Sequence, residues 1–140
     1  MHIAYYRSST GDLCYAYLSK YDSKSSSLAT VDSYLSVGQY LRIGTLYDGT
    51  NYVPSISYYS GTFASTSASV KLAYRADFSS LRDGETNDQF TGAWEVQTLP
   101  CSNTPKAYNI GLGYKDFGSG TRSSVLGYVT DTTLEYAHRK

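Results

Sequence analysis

Hydrophobic and polar residues alternate with a period of two along most of the chain, in short runs separated by Gly, Ser, Thr and Asn. Strand side chains point alternately to opposite faces of a sheet, so this period is typical of β-strands. The clearest example spans 54–75, where two alternating segments flank a loop of Gly, Ser and Thr. It predicts a two-stranded hairpin, and similar patterns predict hairpins at 2–18 and 126–138, the last with its second strand at 134–138.

The segments between these hairpins predict further strands and reveal a repeat. Strands are expected at 28–33, 40–47, 94–99 and 108–114, with a turn at 34–38 between the first two. The sequence Ile-Gly-x-x-Tyr occurs in both the second and the fourth of these strands. An internal repeat of several dozen residues indicates an array of similar supersecondary units. We therefore expect a single all-β repeat domain over 1–140, made of a half unit at 2–18 and whole units at 28–76 and 93–139.

The second strands of the three hairpins have matching patterns, at 13–16, 70–73 and 134–137. In each, large apolar residues alternate with a variable residue and then Ala. The variable position holds Cys14, Lys71 or Glu135. Large side chains on one face and Ala on the other predict a sheet that fills a core on one side and approaches a neighbouring sheet closely on the other. Such sheets suit face-to-face stacking, as in the blades of a β-propeller.

Composition and charge narrow the possible partners. The chain has 140 residues, including 16 Tyr against 4 Phe and 1 Trp, and its formal net charge is zero. Aromatic and β-branched residues favour a half-buried pleated surface. Lys and Arg are scattered rather than clustered, so we expect no nucleic-acid partner. We also expect no membrane insertion, because no apolar run approaches the roughly 20 residues that span a bilayer.

Candidate metal and cysteine chemistry is sparse. Cys14 and Cys101 are far apart and too few for a disulfide scaffold, so we predict that they are not bridged to each other. His2 and His138 show no ligand spacing relative to either cysteine, and no metal or cofactor is predicted. The acidic, polar segment 76–92 is interpreted as a solvated loop. Calcium binding there is the alternative, although its carboxylates lack the spacing of an EF-hand loop.

Several of these motifs, taken in order, resemble a known repeat. They are Val31-Asp32-Ser33, Val37-Gly38-Gln39-Tyr40, an Ile-Gly strand, Ser55-Ile56-Ser57-Tyr58-Tyr59 and Lys71-Leu72-Ala73-Tyr74. This order resembles a repeat of large bacterial surface or secreted proteins, whose units look like four-stranded β-propeller blades. The resemblance covers most of 2–76 and, more loosely, 93–139, where Pro100-Cys101-Ser102 replaces the Val-Asp-Ser turn. It implies an extracellular or cell-surface location and a chain that is a fragment of a larger protein.

Two architectures fit these patterns. The first is an array of antiparallel four-stranded blades, about two and a half propeller-like repeats, and the alternative is a β-sandwich of about ten short strands. Two and a half units are too few for a closed ring of roughly four to eight blades. A propeller-like chain is therefore expected to form a homo-oligomer or to need the missing blades of its parent chain.

The expected function is a non-enzymatic binding or interaction module whose ligand is a glycan or a protein. Tyr52, near a predicted turn, and Trp94, following the long loop, are the candidate ligand-binding residues, because recognition concentrates where loops meet a rigid sheet. Burial in the core is the alternative for both. A purely structural repeat is the alternative function. A glycosidase-like fragment with Tyr58 or Tyr128 as nucleophile is weaker still, because the aspartate-box pattern of sialidases is absent.

Overall fold

The computed structural model describes residues 1–18, 26–34, 36–47, 52–61, 68–75, 94–99, 106–116, 122–130 and 133–138. In these ranges the chain forms ten β-strands in three antiparallel sheets, and no helix. The predicted all-β fold is confirmed. With no helix in the described part of the chain, none there is long and apolar enough to cross a membrane.

The first sheet contains β1 (His2–Arg7), β2 (Asp12–Leu18) and β3 (Ser26–Asp32), in the order β1-β2-β3. The predicted turn between β1 and β2 closes with a 2.8 Å hydrogen bond from the Gly11 amide to the Arg7 carbonyl. Gly11 has a φ of 78°, a left-handed conformation that glycine adopts without steric cost. The predicted hairpin at 2–18 is thus joined by a third strand.

The middle sheet contains β4 (Val37–Tyr47), β5 (Tyr52–Ser60), β6 (Ser69–Arg75) and β7 (Trp94–Thr98), in chain order. The hairpin predicted at 54–75 corresponds to β5 and β6, the two inner strands. Because β5 and β6 are flanked by strands on both edges, this hairpin forms the centre of the fold.

The strand β4 begins earlier than the sequence predicted. Residues 34–38 were expected to form a turn, but β4 begins at Val37 and runs on through irregularities in its pairing with β5. Gly38 permits this path: its φ is 91°, and a Cβ there would lie only 2.8 Å from the Cβ of Leu13. Any larger residue at this position would push β4 away from the first sheet.

The third sheet contains β8 (Lys106–Asp116), β9 (Arg122–Val129) and β10 (Leu134–His138), in the order β10-β9-β8. The bounds of β10 match the predicted segment. The first and third sheets have three strands each in the described part of the chain, so only the middle sheet has the four strands expected of a blade.

The three predicted hairpins have the same pairing register. An Ile or Leu on the first strand pairs with an Ala on the second, as Ile3 with Ala16, Ile56 with Ala73 and Leu126 with Ala137. Two residues further along the first strand, a tyrosine pairs with the variable position, as Tyr5 with Cys14, Tyr58 with Lys71 and Tyr128 with Glu135. Residues at matching register are called corresponding residues below.

The longer strands β4 and β8 correspond with a shift. Ile43 pairs with Ile56, whereas Leu112 pairs with Leu126. Alignment of the two strands by their shared Ile-Gly motif would instead match Ile43 with Ile110, two residues before Leu112. The shift is two residues, so it preserves which side chains share a face.

The middle sheet is covered on both faces. Its contact with the first sheet, here called the first seam, is formed by Leu13, Tyr15, Val31, Val37, Ile56, Tyr58 and Ala73. Its contact with the third sheet, the second seam, is formed by Leu46, Val53, Tyr59, Val70, Leu72, Tyr74, Leu99, Ile110, Leu126 and Tyr128. As the alternation of large residues and Ala predicted, β6 sends Leu72 to one seam and Ala73 to the other.

Candidate functional site

A group of polar side chains links the first and middle sheets. Asp32, at the end of β3, accepts hydrogen bonds through Oδ2 from the Tyr58 hydroxyl at 2.7 Å and from Lys71 Nζ at 2.9 Å. Its Oδ1 accepts a third from the Tyr34 amide at 3.1 Å. The Tyr34 ring centroid is 5.9 Å from Lys71 Nζ. These four residues are called the Asp32 cluster.

The pKa values of Asp32 and Tyr58 are both shifted in the directions that keep the ion pair between Asp32 and Lys71 in place. Burial alone would raise the pKa of Asp32, but the hydrogen bonds from Lys71, Tyr58 and the Tyr34 amide outweigh it and hold that pKa below 3.8. Burial, followed by the hydrogen bond to Asp32 and its charge, raises the pKa of Tyr58 far above its usual value. Tyr58 therefore stays protonated at neutral pH, and each oxygen of Asp32 has a donor.

The corresponding tyrosine in the third sheet uses a different acceptor. The Tyr128 hydroxyl donates to Glu135 Oε2 at 2.7 Å, and Glu135 occupies the register position that Lys71 holds in the middle sheet. The sequence that replaces the Val-Asp-Ser turn at 100–102 contains no carboxylate. The acceptor of the Tyr58 hydroxyl thus lies in a neighbouring sheet, whereas the acceptor of the Tyr128 hydroxyl lies on the paired strand of the same sheet.

Aromatic rings line one end of the first seam. Neighbouring ring centroids are 5.1 Å apart between Tyr17 and His2, 6.0 Å between His2 and Tyr15, and 4.8 Å between Tyr15 and Trp94. The last pair meets edge to face, and the Tyr15 hydroxyl lies 2.5 Å from His2 Nδ1. His2 is exposed and Tyr17 and Trp94 are half-buried. These four residues are called the aromatic row.

The aromatic row is uncharged at neutral pH. Partial desolvation of the imidazole ring by its neighbours, the N-terminal ammonium and the Arg75 guanidinium all lower the pKa of His2. Burial raises the pKa of Tyr15, more than the nearby Arg75 charge lowers it. The row therefore presents neutral rings with polar edges.

The structure places the two predicted ligand residues at one end of the middle sheet. Trp94 is the first residue of β7 and pairs with Arg75, the last residue of β6, and Tyr52 is the first residue of β5. Because these strands are antiparallel, 52 and 94 lie at the same end with β6 between them. The side chain of Tyr52 lies outside what the structure describes. Trp94 packs against the first seam, and its Nε1 is buried with no hydrogen-bond partner among the described residues.

The remaining candidate chemistry is limited. Cys14 is a free, buried cysteine, and Arg7 Nη2 donates to its sulfur at 2.8 Å. Cys101 and the segment 76–92, with its calcium alternative, lie outside the described residues. In the part of the chain that the structure describes, no group of three or more His, Cys, Asp or Glu side chains is placed to hold a metal ion.

Sequence reasoning did not identify the Asp32 cluster or the aromatic row. Asp32 was placed in the predicted strand at 28–33 and in the Val-Asp-Ser motif without a partner, and its donors Tyr58 and Lys71 are 26 and 39 residues away in the chain. A signal was present, because a Lys at a position filled by Cys14 in a matching strand needs a nearby anion. His2 was considered only as a metal ligand.

Comparisons with protein-family models, with curated proteins and with solved structures found no match for this chain. Its function is therefore inferred from the geometry of its own residues.

Proposed function

We propose that this chain is a non-enzymatic binding module that contacts a glycan or a protein through the aromatic row. The observation that carries the proposal is the contact between exposed His2 and half-buried Tyr17 and Trp94 around the buried Tyr15. Rings held in contact lose little conformational entropy on binding. Aromatic rings with polar edges suit both sugar faces and protein partners.

The position of the row favours recognition. It combines β1 and β2 of the first sheet with β7 of the middle sheet, so two packed sheets hold the rings rigidly. Tyr52 begins β5 at the same end of the middle sheet and is part of the proposal through this position. Preorganised contact residues lower the free-energy cost of binding.

The wider setting of the module is also proposed. Matching registers in the three hairpins support propeller-like blades, and the resemblance of the motifs supports a bacterial surface or secreted protein. In this setting the chain works outside the cell, with a glycan or protein ligand and with further sheets from a second copy or from its parent protein.

A purely structural repeat is the second candidate, and the Asp32 cluster favours it. The polar groups of that cluster bind one another across the first seam, which holds sheets together without any ligand. A glycosidase role has less support. Tyr58 and Tyr128, the tyrosines considered as nucleophiles, are buried and each donates its hydroxyl to a carboxylate.

Binding to a glycan array and to candidate protein ligands, followed by alanine substitution, tests this function. Tyr17→Ala, Tyr52→Ala and Trp94→Ala should each weaken binding by about 1–2 kcal/mol, as at interface hot spots. Tyr34→Ala is the matched control, because Tyr34 is a highly exposed aromatic residue outside the row. If no ligand is found, or if the variants lower only the melting temperature, the structural role is correct.

A further inference from the structure

Each seam is formed by the same pair of side chains from the following sheet. Ile56 and Tyr58 of the middle sheet belong to the first seam, and their corresponding residues Leu126 and Tyr128 belong to the second. The middle and third sheets thus each pack an aliphatic residue and a tyrosine against the sheet that precedes them in the chain. This face of a sheet is called its leading face, and the opposite face its receiving face.

The first sheet also has a leading face, which belongs to neither seam: its Ile3 and Tyr5 are half-buried, and Arg7 of the same strand donates to the buried Cys14. Ile3 and Tyr5 correspond to Ile56 and Tyr58. Their neighbour Ala4 packs against the first seam, so Ile3 and Tyr5 lie on the opposite face of the sheet. Leu28, which pairs with Ala16 on this same face, is 68% exposed.

The third sheet exposes apolar side chains on its receiving face. Leu134 and Tyr136 lie on its receiving face and are 79% and 74% exposed. The corresponding Val70 and Leu72 of the middle sheet are completely buried by the third sheet. Two large apolar side chains are therefore exposed on β10 at the register where the middle sheet holds its core.

The receiving face of the third sheet also has room for incoming side chains. Its glycines Gly111 and Gly127 pair with each other, and a Cβ at either would meet no atom within 4 Å. In the middle sheet the residue corresponding to Gly127 is Ser57, which is fully buried under the third sheet. The open strip lies beside Tyr136, which pairs with Gly127.

We infer that two copies of this chain associate head to tail, with the receiving face of one copy's third sheet covering the leading face of the other copy's first sheet. The two seams inside the chain identify the occupant, because each joins a receiving face to a leading face of this same sequence. The zero net charge adds no overall repulsion between copies.

The same contact made twice closes the assembly. A heterologous contact either closes into a ring or continues as a filament. Two copies contribute six sheets, and closed propellers contain roughly four to eight. The expected assembly is thus a dimer with two identical seams between its copies. This inference does not depend on the ligand proposed above.

Sedimentation of two face variants and their mixture tests this arrangement. Tyr5→Glu places a charge on the leading face of the first sheet, and Tyr136→Glu places one on the receiving face of the third. Tyr34→Glu is the matched control, because Tyr34 is as exposed as Tyr136 but lies beside Lys71 at the first seam. Circular dichroism identifies any variant that fails to fold, and Leu28→Glu then replaces Tyr5→Glu.

The wild type and Tyr34→Glu should sediment as dimers, at twice the 15.4 kDa of the chain. Each face variant alone should be a monomer. An equimolar mixture of the two should sediment faster than either variant alone. The intact receiving face of Tyr5→Glu and the intact leading face of Tyr136→Glu form one seam, while both substitutions meet at the other. A monomeric wild type, face variants that still dimerise, or a mixture that sediments no faster than its components would overturn the inference.

Discussion

The two seams of the middle sheet bury similar apolar side chains, but they position their carboxylates differently. At the first seam, Asp32 of one sheet binds Tyr58 and Lys71 of the next. At the second, Tyr128 and its acceptor Glu135 belong to the same sheet, on paired strands. An equivalent tyrosine is thus satisfied across the seam in one case and within its own sheet in the other.

The register position held by Lys71 and Glu135 therefore has two different roles: Lys71 bonds across its seam, and Glu135 bonds within its own sheet. The first seam depends on an ion pair that is lost if the two sheets separate. In the second seam the hydrogen bond from Tyr128 to Glu135 lies within one sheet and survives separation. Hydrophobic contact holds both seams together, and among the described side chains an ion pair between sheets is seen at the first.

The largest expected effect comes from removing the charge that joins the first seam. Asp32→Asn leaves the Lys71 ammonium, whose side chain is only 12% exposed, without its anion. Removing one partner of a buried pair costs about 3–5 kcal/mol in the free energy of unfolding, and partial exposure places this case at the lower end. Urea denaturation at one fixed protein concentration measures it. A loss below about 1 kcal/mol would show that the ion pair adds little.

The second prediction converts the first seam to the arrangement of the second. Lys71→Glu alone should destabilise the protein strongly, because it brings a second carboxylate towards Asp32. In the double variant Asp32→Asn/Lys71→Glu, the new carboxylate is free to accept from Tyr58 as Glu135 does from Tyr128. We expect the double variant to recover about 1 kcal/mol or more relative to Lys71→Glu, within the range measured for interacting sites. Strictly additive effects would contradict the correspondence.

The third prediction concerns the second seam and is smaller. In Glu135→Gln the side-chain carbonyl can still accept the hydrogen from Tyr128. Since hydrogen bonds to charged groups exceed neutral ones by about 1 kcal/mol, we expect a loss of that size or less. Urea denaturation beside Asp32→Asn compares the two seams directly. An equal loss in both variants would remove the distinction between them.

The smallest effect is a difference in pH dependence. The folded state holds the pKa of Asp32 below its usual 3.8, so its stabilising effect is complete well above pH 4 and is lost as the pH falls through the lower folded value. Between neutral pH and pH 3, the stability of the wild type should therefore fall more steeply than that of Asp32→Asn. Thermal melting over this range measures both slopes. Parallel curves would mean that Asp32 has the same proton affinity folded and unfolded.

The alternation of hydrophobic and polar residues predicted most of the strands, because it depends on which face of each strand is buried. The bounds of β10 were predicted correctly and those of β7 within one residue, since both strands have a clear period of two. The start of β4 was missed because Gly38 and its bulge interrupt the period, which sequence reasoning interpreted as a turn.

The candidate sites were harder to predict because they depend on contacts between sheets. Trp94 was predicted as a ligand-binding residue, which stays a prediction, and its contact with Tyr15 depends on how two sheets pack. Asp32 and Lys71 are 39 residues apart, and no local pattern links them. Patterns within one strand predict the exposure of its faces, but they do not predict which distant strand covers a face.

A double-mutant cycle between Asp32→Asn and Lys71→Met tests most directly the claim that the first seam is joined by charge. Both single variants, the double variant and the wild type are unfolded in urea under one buffer and protein concentration. We predict a coupling free energy above about 1 kcal/mol. The loss of stability in the double variant should therefore be smaller than the sum of the losses in Asp32→Asn and Lys71→Met. A coupling energy indistinguishable from zero would show that the ion pair between Asp32 and Lys71 does not join the first seam.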